Sequence, residues 1–339
     1  MKKLTNTAEM REIDRVTVEE IGIPETILME HAGLAIVDAI RSRYPDLTNL
    51  KVSVFAGKGN NGGDGSVAAR LLRNLGANPT LFLLAKRDEL KGDARLNADI
   101  FVSIGGALKE ITQPRHLGNF KLKFMHSTVV VDALLGTGLK SEPQGLYGDI
   151  VDLMNKYGEY KVAVDIPTGI NADNGSIFGK HFVADVTACL GARKLGLCMS
   201  PAREAAGSVR FYDISIPGQV VDDSPCATWL IEDDDIRGLM PGRPADGHKG
   251  VFGHLALACG SSGMGGAAAL AGMGALRIGA GLVTACLPQG LAQAFEVGCK
   301  EVMTVSLDST EAGSIAATSA DRFIEFARDK TAILIGPGL

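Results

Sequence analysis

The stretch KVSVFAGKGNNGGDGSVAARLLRNLG, residues 51–76, decides how the rest of the chain is read. KVSVFA is an almost unbroken apolar run of strand length, and Val67, Leu71 and Leu75 recur at helical spacing after it. Between them lies a glycine loop, residues 57–65, with G-x-G-x-x-G at Gly57, Gly59 and Gly62. That is the spacing of a dinucleotide-binding turn, in which backbone N–H groups at a helix start hold pyrophosphate. The loop also carries Asn60, Asn61 and Asp64, oxygen acceptors such a turn does not need, and Asp64 would repel phosphate. The acidic residue expected about twenty positions later is preceded, in AKRDE, by Lys86 and Arg87. Three readings stay open: an NADP-dependent dehydrogenase, a plain glycine turn with helix-capping Asn and Asp, or a site for a related molecule.

Outward from this stretch the same grammar repeats. PTLFLLA, STVVVDALLG, YKVAVDIPTG, ADVTACLG and SVRFYDISIP read as strands. ARLNADIFVSIG, and the segment marked by Leu146, Ile150, Leu153 and Tyr157, read as helices. Two amphipathic helices precede them, the second over residues 25–44 with Leu28, Ala32, Ala35 and Ala39 on one face. Apolar strands alternating with helices predict an α/β fold, a Rossmann-like doubly wound parallel sheet. Residues 217–250 are rich in Pro, Gly and Asp and read as a linker with an entry loop. A second α/β pattern follows: GVFGHLALACG, a Gly/Ala-rich helix over 264–279, GLVTACLP and KTAILIGPGL. Two domains are expected, 1–222 and 223–339, the second incomplete.

Composition narrows the class. The 339 residues suffice for two cores, and 46% hydrophobic with 22% charged residues describes a globular protein. A net charge of −5 supplies no general reason to bind nucleic acid or an anionic membrane. The start lacks an apolar signal region, and the Gly/Ala-rich run near 267–283 carries Arg277, so neither secretion nor a membrane span is expected. Six cysteines without a C-x-x-C pair suggest a reducing compartment, the cytoplasm.

In open parallel sheets, ligands bind beyond the carboxyl ends of the strands. Three loops leave such ends: 57–65, 132–141 and 165–170. The second, VDALLGTGLKS, offers Asp132 at the strand tip, then Gly136, Thr137, Gly138 and Lys140, a set suited to phosphate or to a capped turn. The third, VDIPTG, places Asp165 at a strand tip as a candidate general base or helix cap, with the Thr168 hydroxyl close by. Asn61, Asp132 and Thr168 together would present neutral and anionic oxygens, a set that suits K⁺ better than Mg²⁺.

These loops resemble those of the YjeF N-terminal family, the NAD(P)H-hydrate epimerases, over roughly residues 8–217. The likeness rests on MREIDRVTVEEIGIPETILMEHAG, GKGNNGGDG, VDALLGTGLKS, VDIPTG and GARKLGLCMSPAREAAGSVRFYDISIP. HKGVFGHLALACGSSGMGGAAALAGMGALRIGAGLVTACLP and the terminal AILIGPGL resemble the start of the ribokinase-like, ADP/ATP-dependent NAD(P)H-hydrate dehydratases. The resemblance implies a bifunctional repair chain whose substrate is hydrated NAD(P)H. It implies that Asn60, Asn61, Gly62, Gly63 and Asp64 contact that substrate, and that Gly136, Thr137, Gly138, Leu139, Lys140, Ser141 and Glu142 wrap its phosphates. Asp165 would act at the nicotinamide ring with Lys86 near it, and Asn61, Asp132 and Thr168 would bind K⁺. In the second half Gly265 would approach the dinucleotide and ADP or ATP would bind. That family's nucleotide-binding lysine and catalytic aspartate have no counterpart before Leu339, so dehydratase activity is not expected of this chain alone. Two departures stand out: Thr168 where serine is usual, and Arg193 where proline is usual. A homo-oligomer in the cytoplasm is the expected assembly. A dinucleotide-binding or interaction module without turnover is the rival from another class.

Overall fold

Each apolar run predicted as a strand becomes one, and their order in space creates the site. The computed structural model describes residues 1–139 and 141–339, with the side chains of Asn119, Lys121 and Leu122 left aside. It divides into two units, Met1–Gly238 and Leu239–Leu339.

In the first unit the strands run β1 (Lys2–Thr5), β2 (Lys51–Ala56), β3 (Asn78–Leu83), β4 (Ala107–Glu110), β5 (Val129–Ala133), β6 (Tyr160–Val164), β7 (Val186–Leu190), β8 (Arg193–Lys194), β9 (Ser208–Tyr212) and β10 (Thr228–Leu230). Seven of them form one sheet in the order β4-β3-β2-β5-β6-β7-β9, every pair parallel. The middle strands β5 and β7 are buried along their whole length, as continuous apolar runs covered on both faces must be. From β2 the chain steps one way to β3 and β4, then returns to β2's other side with β5. The loops after β2 and β5 therefore diverge and leave a crevice, the usual ligand position in such sheets.

Four helices matter to the site. Helix α1 (Thr7–Arg15) starts on a reciprocal cap: Asn6 Oδ1 accepts from Glu9 N at 2.9 Å and Glu9 Oε2 from Asn6 N at 2.8 Å. A π-helical turn, Val16–Glu20, continues it. Helix α2 (Glu25–Arg41) packs on α3 (Asn60–Asn74), which follows the glycine loop, and α4 (Gly92–Ser103) packs on α3 in turn.

Several elements depart from expectation. The N-terminal segment KKLT is a strand, pairing antiparallel with β10 and parallel with β8 in a separate three-stranded sheet. Four residues with two lysines carry too little periodicity to announce it. Because β10 hydrogen-bonds to β1, the chain divides after Gly238 rather than at residue 222, and residues 223–238 belong with the first unit. The edge strand β4 and the helix Arg115–Met125 were also unannounced; β4 has no fully buried residue, so its pattern resembles a loop.

The second unit has four parallel strands, His254–Ala258, Leu282–Pro288, Met303–Leu307 and Ala332–Ile335, with the first and second central. Its Gly/Ala-rich helix spans Gly265–Ile278 and ends at Gly279, whose φ of 118° a side chain would resist. Among the described residues no helix is long and apolar enough to cross a membrane.

Candidate active site

The crevice at the carboxyl ends of β2, β5, β6 and β7 opens into a cavity of about 710 Å³, within the range of ligand pockets. Its walls come from α1, α2, the start of α3 and the loop after β5.

The glycine loop makes the close approach possible. A side-chain carbon on Gly57 would lie 2.1 Å from Leu134 O, in the loop after β5, and one on Gly62 would lie 1.9 Å from Gly57 O. Gly57 N donates to Ala133 O at 3.0 Å, which holds the two loops together. Helix α3 then begins at Gly59 with no side chain capping it, so its first N–H groups are available to a ligand. Asn60, Asn61 and Asp64 line the cavity with Gly136, Thr137 and Gly138.

Two strand ends deliver the charged pair. At the tip of β6 the chain makes a three-residue turn, Ile166 N donating to Val164 O at 2.7 Å around Asp165, whose φ is 63°. At the tip of β7, Ala192 N donates to Leu190 O at 2.8 Å around Gly191, with φ 71°. Such turns are rare and strained, and a non-glycine residue in one points to a demand placed on its side chain. Asp165 Oδ1 accepts from Leu190 N at 3.0 Å and from the ammonium of Lys194. Lys194 is only 2% exposed and also donates to Leu190 O. Burial works against its charge, but the Asp165 carboxylate, by charge and by hydrogen bond, holds the ammonium above the ordinary lysine range. The small sheet places it: Thr5 in β1 pairs with Lys194 in β8.

Four more carboxyls share the cavity wall with Asp165 and Lys194: Asp14, Glu19, Glu25 and Asp64. Burial pushes Asp14, on α1, up to about 6, with Lys194 opposing and Asp165 and Glu25 reinforcing. Burial, then the Asp165 charge, raises Asp64 well above the carboxylate range. Asp14 therefore keeps a proton in the fold to higher pH than in the unfolded chain, so stability falls as pH rises from near 4 to about 6. Replacing Asp14 by Asn should remove that loss: denaturant unfolding should show a gain of about 1–2 kcal/mol at pH 7 and little change at pH 4. An equal gain at both pH values would show that the ionised carboxylate is not the cause.

Asp132 and Thr168 lie beneath the cavity, both fully buried. Asp132 Oδ2 accepts from Thr168 N at 2.7 Å, and Oδ1 from Thr168 Oγ1 at 2.8 Å and Leu134 N at 3.2 Å, stitching the loops after β5 and β6. Burial pushes Asp132 up to about 6 against these hydrogen bonds. The Asn61 Nδ2 is buried and finds no hydrogen-bond partner among the described residues. Turning that amide would bring its oxygen to the same place. The Asp132 carboxylate, the Thr168 hydroxyl with Leu135 O 3.2 Å from it, and the Asn61 amide supply the oxygen types that suit a hard monovalent cation.

Several expected site residues stand elsewhere. Lys86 is exposed at the end of β3's loop and does not line the cavity; the lysine paired with Asp165 on the cavity wall is Lys194. Leu139, Ser141 and Glu142 are also off the wall, and Glu142 instead accepts from Lys180 N at 3.0 Å. Lys140 lies outside the described residues. Gly265 begins a helix of the second unit, where a side chain would meet Leu291. Arg193 has a visible role: its guanidinium stacks over Phe211 at 5.0 Å and lies 3.7 Å from Glu232.

A family model for the YjeF-related protein N-terminus matches residues 25–196, just over half the chain. The chain belongs to that family. A second model, NAD(P)H-hydrate dehydratase, matches residues 255–339. The chain is 38% identical over 337 residues to the bifunctional NAD(P)H-hydrate repair enzyme Nnr of Moorella thermoacetica, covering 99% of this chain and 64% of that protein. It is 34% identical over 339 residues to the protein of the same name from Thermofilum pendens, covering 99% and 63%. It thus spans just under two thirds of these relatives' length. The crystal structure of yeast ynu0 superposes with a TM-score of 0.53 at 26% identity, covering 62% of this chain and 88% of that one. The YjeF-related match takes in Asn61, Asp64, Asp132, Asp165, Thr168 and Lys194, whereas Asp14 comes from α1, upstream of it.

Lys194 and Asp14 escaped sequence reasoning. The available signals were a lysine four residues after an apolar strand tip, and an acid four residues after Met10 on the helix that buries Met10 and Ile13.

Proposed function

We propose that the first unit interconverts the R and S epimers of hydrated NAD(P)H. The observation that carries this reading is the Asp165–Lys194 pair set in the wall of a dinucleotide-sized cavity that also receives the uncapped start of α3. The free N–H groups of α3 and the loop at Gly136, Thr137 and Gly138 suit the pyrophosphate, and Asn60 and Asn61 suit the adjoining ribose and amide groups. In the hydrate, a ring carbon beside the ring nitrogen carries a hydroxyl. The nitrogen lone pair expels it, leaving an iminium cation, and water returns on the other face. The Asp165 carboxylate stabilises that cation and orients the returning water.

Asn61, Asp132 and Thr168 would hold K⁺, which supplies fixed positive charge beneath the loops. Asp132 and Thr168 position the loops after β5 and β6, and with them Gly136 and Asp165. For the second unit we propose the opening part of an ADP- or ATP-dependent dehydratase acting on the S epimer, with Gly265 near its ligand. All six cysteines are free, consistent with a cytoplasmic enzyme; a homo-oligomer completes the reading.

The test is direct. Purified protein incubated with the R epimer should yield the equilibrium mixture, followed by chromatography. Replacing K⁺ by choline should slow it about 10-fold and lower the melting temperature by a few degrees. No interconversion in K⁺ buffer sinks the reading and leaves a binding module.

A further inference from the structure

The R-to-S reaction needs a proton for the departing hydroxyl, and in the resting site Asp165 is engaged as an acceptor rather than a donor. Its Oδ1 already accepts from the Lys194 ammonium and from Leu190 N. Asp64 has the complementary setting. It lies one helical turn beyond Asn60 on α3, on the cavity wall, and no ion pair reaches it among the described residues. Its carboxyl arrives from the α3 side, whereas Asp165 arrives from the tip of β6, so the two groups flank one space from different elements.

We infer that Asp64 is the proton donor of epimerisation and the Asp165 carboxylate the proton acceptor, an inference that rests on the epimerase reading above. In the first step the Asp64 O–H gives its proton to the substrate hydroxyl. The carbon–oxygen bond breaks, its electron pair leaves with the oxygen as water, and the nitrogen lone pair forms the C=N⁺ bond. In the second step water adds to the other face of that bond. The new carbon–oxygen bond forms, the C=N π pair returns to nitrogen, and the spare proton of the water goes to Asp165. One water has left and one has entered; Asp64 is a proton short and Asp165 a proton richer, and solvent water resets both. The reverse reaction uses the same groups in exchanged roles, as an equilibration of epimers requires.

The electrostatics agree. The groups facing Asp64 are Asp165, Lys194 and Asp14. Burial comes first and the Asp165 charge second in keeping Asp64 protonated to higher pH than an exposed aspartate, with Lys194 opposing and Asp14 reinforcing. A neutral acid beside a lysine-held carboxylate is how two like groups are given different proton duties.

The experiment uses the full chain with Asp64→Asn, which keeps shape and polarity but offers no acidic proton. R-to-S interconversion should fall roughly 10²–10⁴-fold, while NADP⁺ binding by calorimetry stays within about threefold. The wild-type rate should decline at alkaline pH, where the acid form of Asp64 is lost; the residual rate of Asp64→Asn should lack that decline. Asp64→Glu should recover a measurable part of the rate. Interconversion by Asp64→Asn within about threefold of wild type overturns the inference, and so does an unchanged alkaline decline. Loss of NADP⁺ binding in step with turnover also overturns it, since Asp64 would then be a binding group. A wild-type protein that does not interconvert the epimers overturns the epimerase reading itself and this inference with it.

Discussion

Replacing Lys194 with Met is expected to slow epimer interconversion by about 10²–10⁴-fold and to destabilise the protein by about 3 kcal/mol. The two losses share one cause. The Asp165 side chain is 16% exposed and its ammonium partner 1% exposed, so removing Lys194 leaves a largely buried carboxylate with one backbone donor. Uncompensated, that carboxylate takes up a proton and ceases to stabilise the iminium. Asp165→Asn has a different profile. Asn tolerates the left-handed backbone that position 165 adopts, and it can still accept from Leu190 N, so the turn survives while the charge is lost. Turnover should fall by a similar factor, with stability less affected than in Lys194→Met. Combining both changes should recover part of the stability lost in Lys194→Met without recovering activity. Denaturant unfolding and chromatographic rates give both readouts. A Lys194→Met protein that turns over normally would mean that the pair is a structural stitch only.

Gly57→Ala should be nearly as damaging, for a steric reason. The added carbon would sit 2.1 Å from Leu134 O, far inside van der Waals contact, and that oxygen belongs to backbone. The loops after β2 and β5 must then separate by about an ångström, and a displacement of that size can cost about 10²-fold in rate. The strain should also remove about 1–3 kcal/mol of stability. Gly59→Ala is the control. No atom lies within 4 Å of the position a side chain would take, and its φ of −95° suits any residue. It should lose at most about 1 kcal/mol, through the weaker helix start, and keep most activity. Equal damage from both changes would mean that loop flexibility, not the close approach, is what the glycines provide.

That contrast also shows how a literal motif can mislead. The G-x-G-x-x-G spacing picks out Gly57, Gly59 and Gly62, but only Gly57 and Gly62 are pressed against backbone. The asparagines and the aspartate that made the loop a poor dehydrogenase turn line the cavity themselves. Lys86 and Lys194 teach the same lesson from the other side. Both follow a strand, but β3 lies towards the sheet edge, so Lys86 is exposed, while β8 is stitched to β1 beside the crevice and buries Lys194.

Unbroken apolar runs bounded by glycine, and helical spacing between them, were enough by themselves to establish the parallel sheet and the strand tips bearing Asp132 and Asp165. Those features are local: a run of six apolar residues must be covered on both faces wherever it ends up. The partners at those tips were decided only by tertiary structure. Lys194 meets Asp165 because a four-residue strand at the N-terminus pairs beside it, and Asp14 and Asp64 hold their protons to higher pH than exposed aspartates because burial removes the water that would stabilise their charge. Desolvation belongs to a place in the fold, and no residue's neighbours in the chain disclose it.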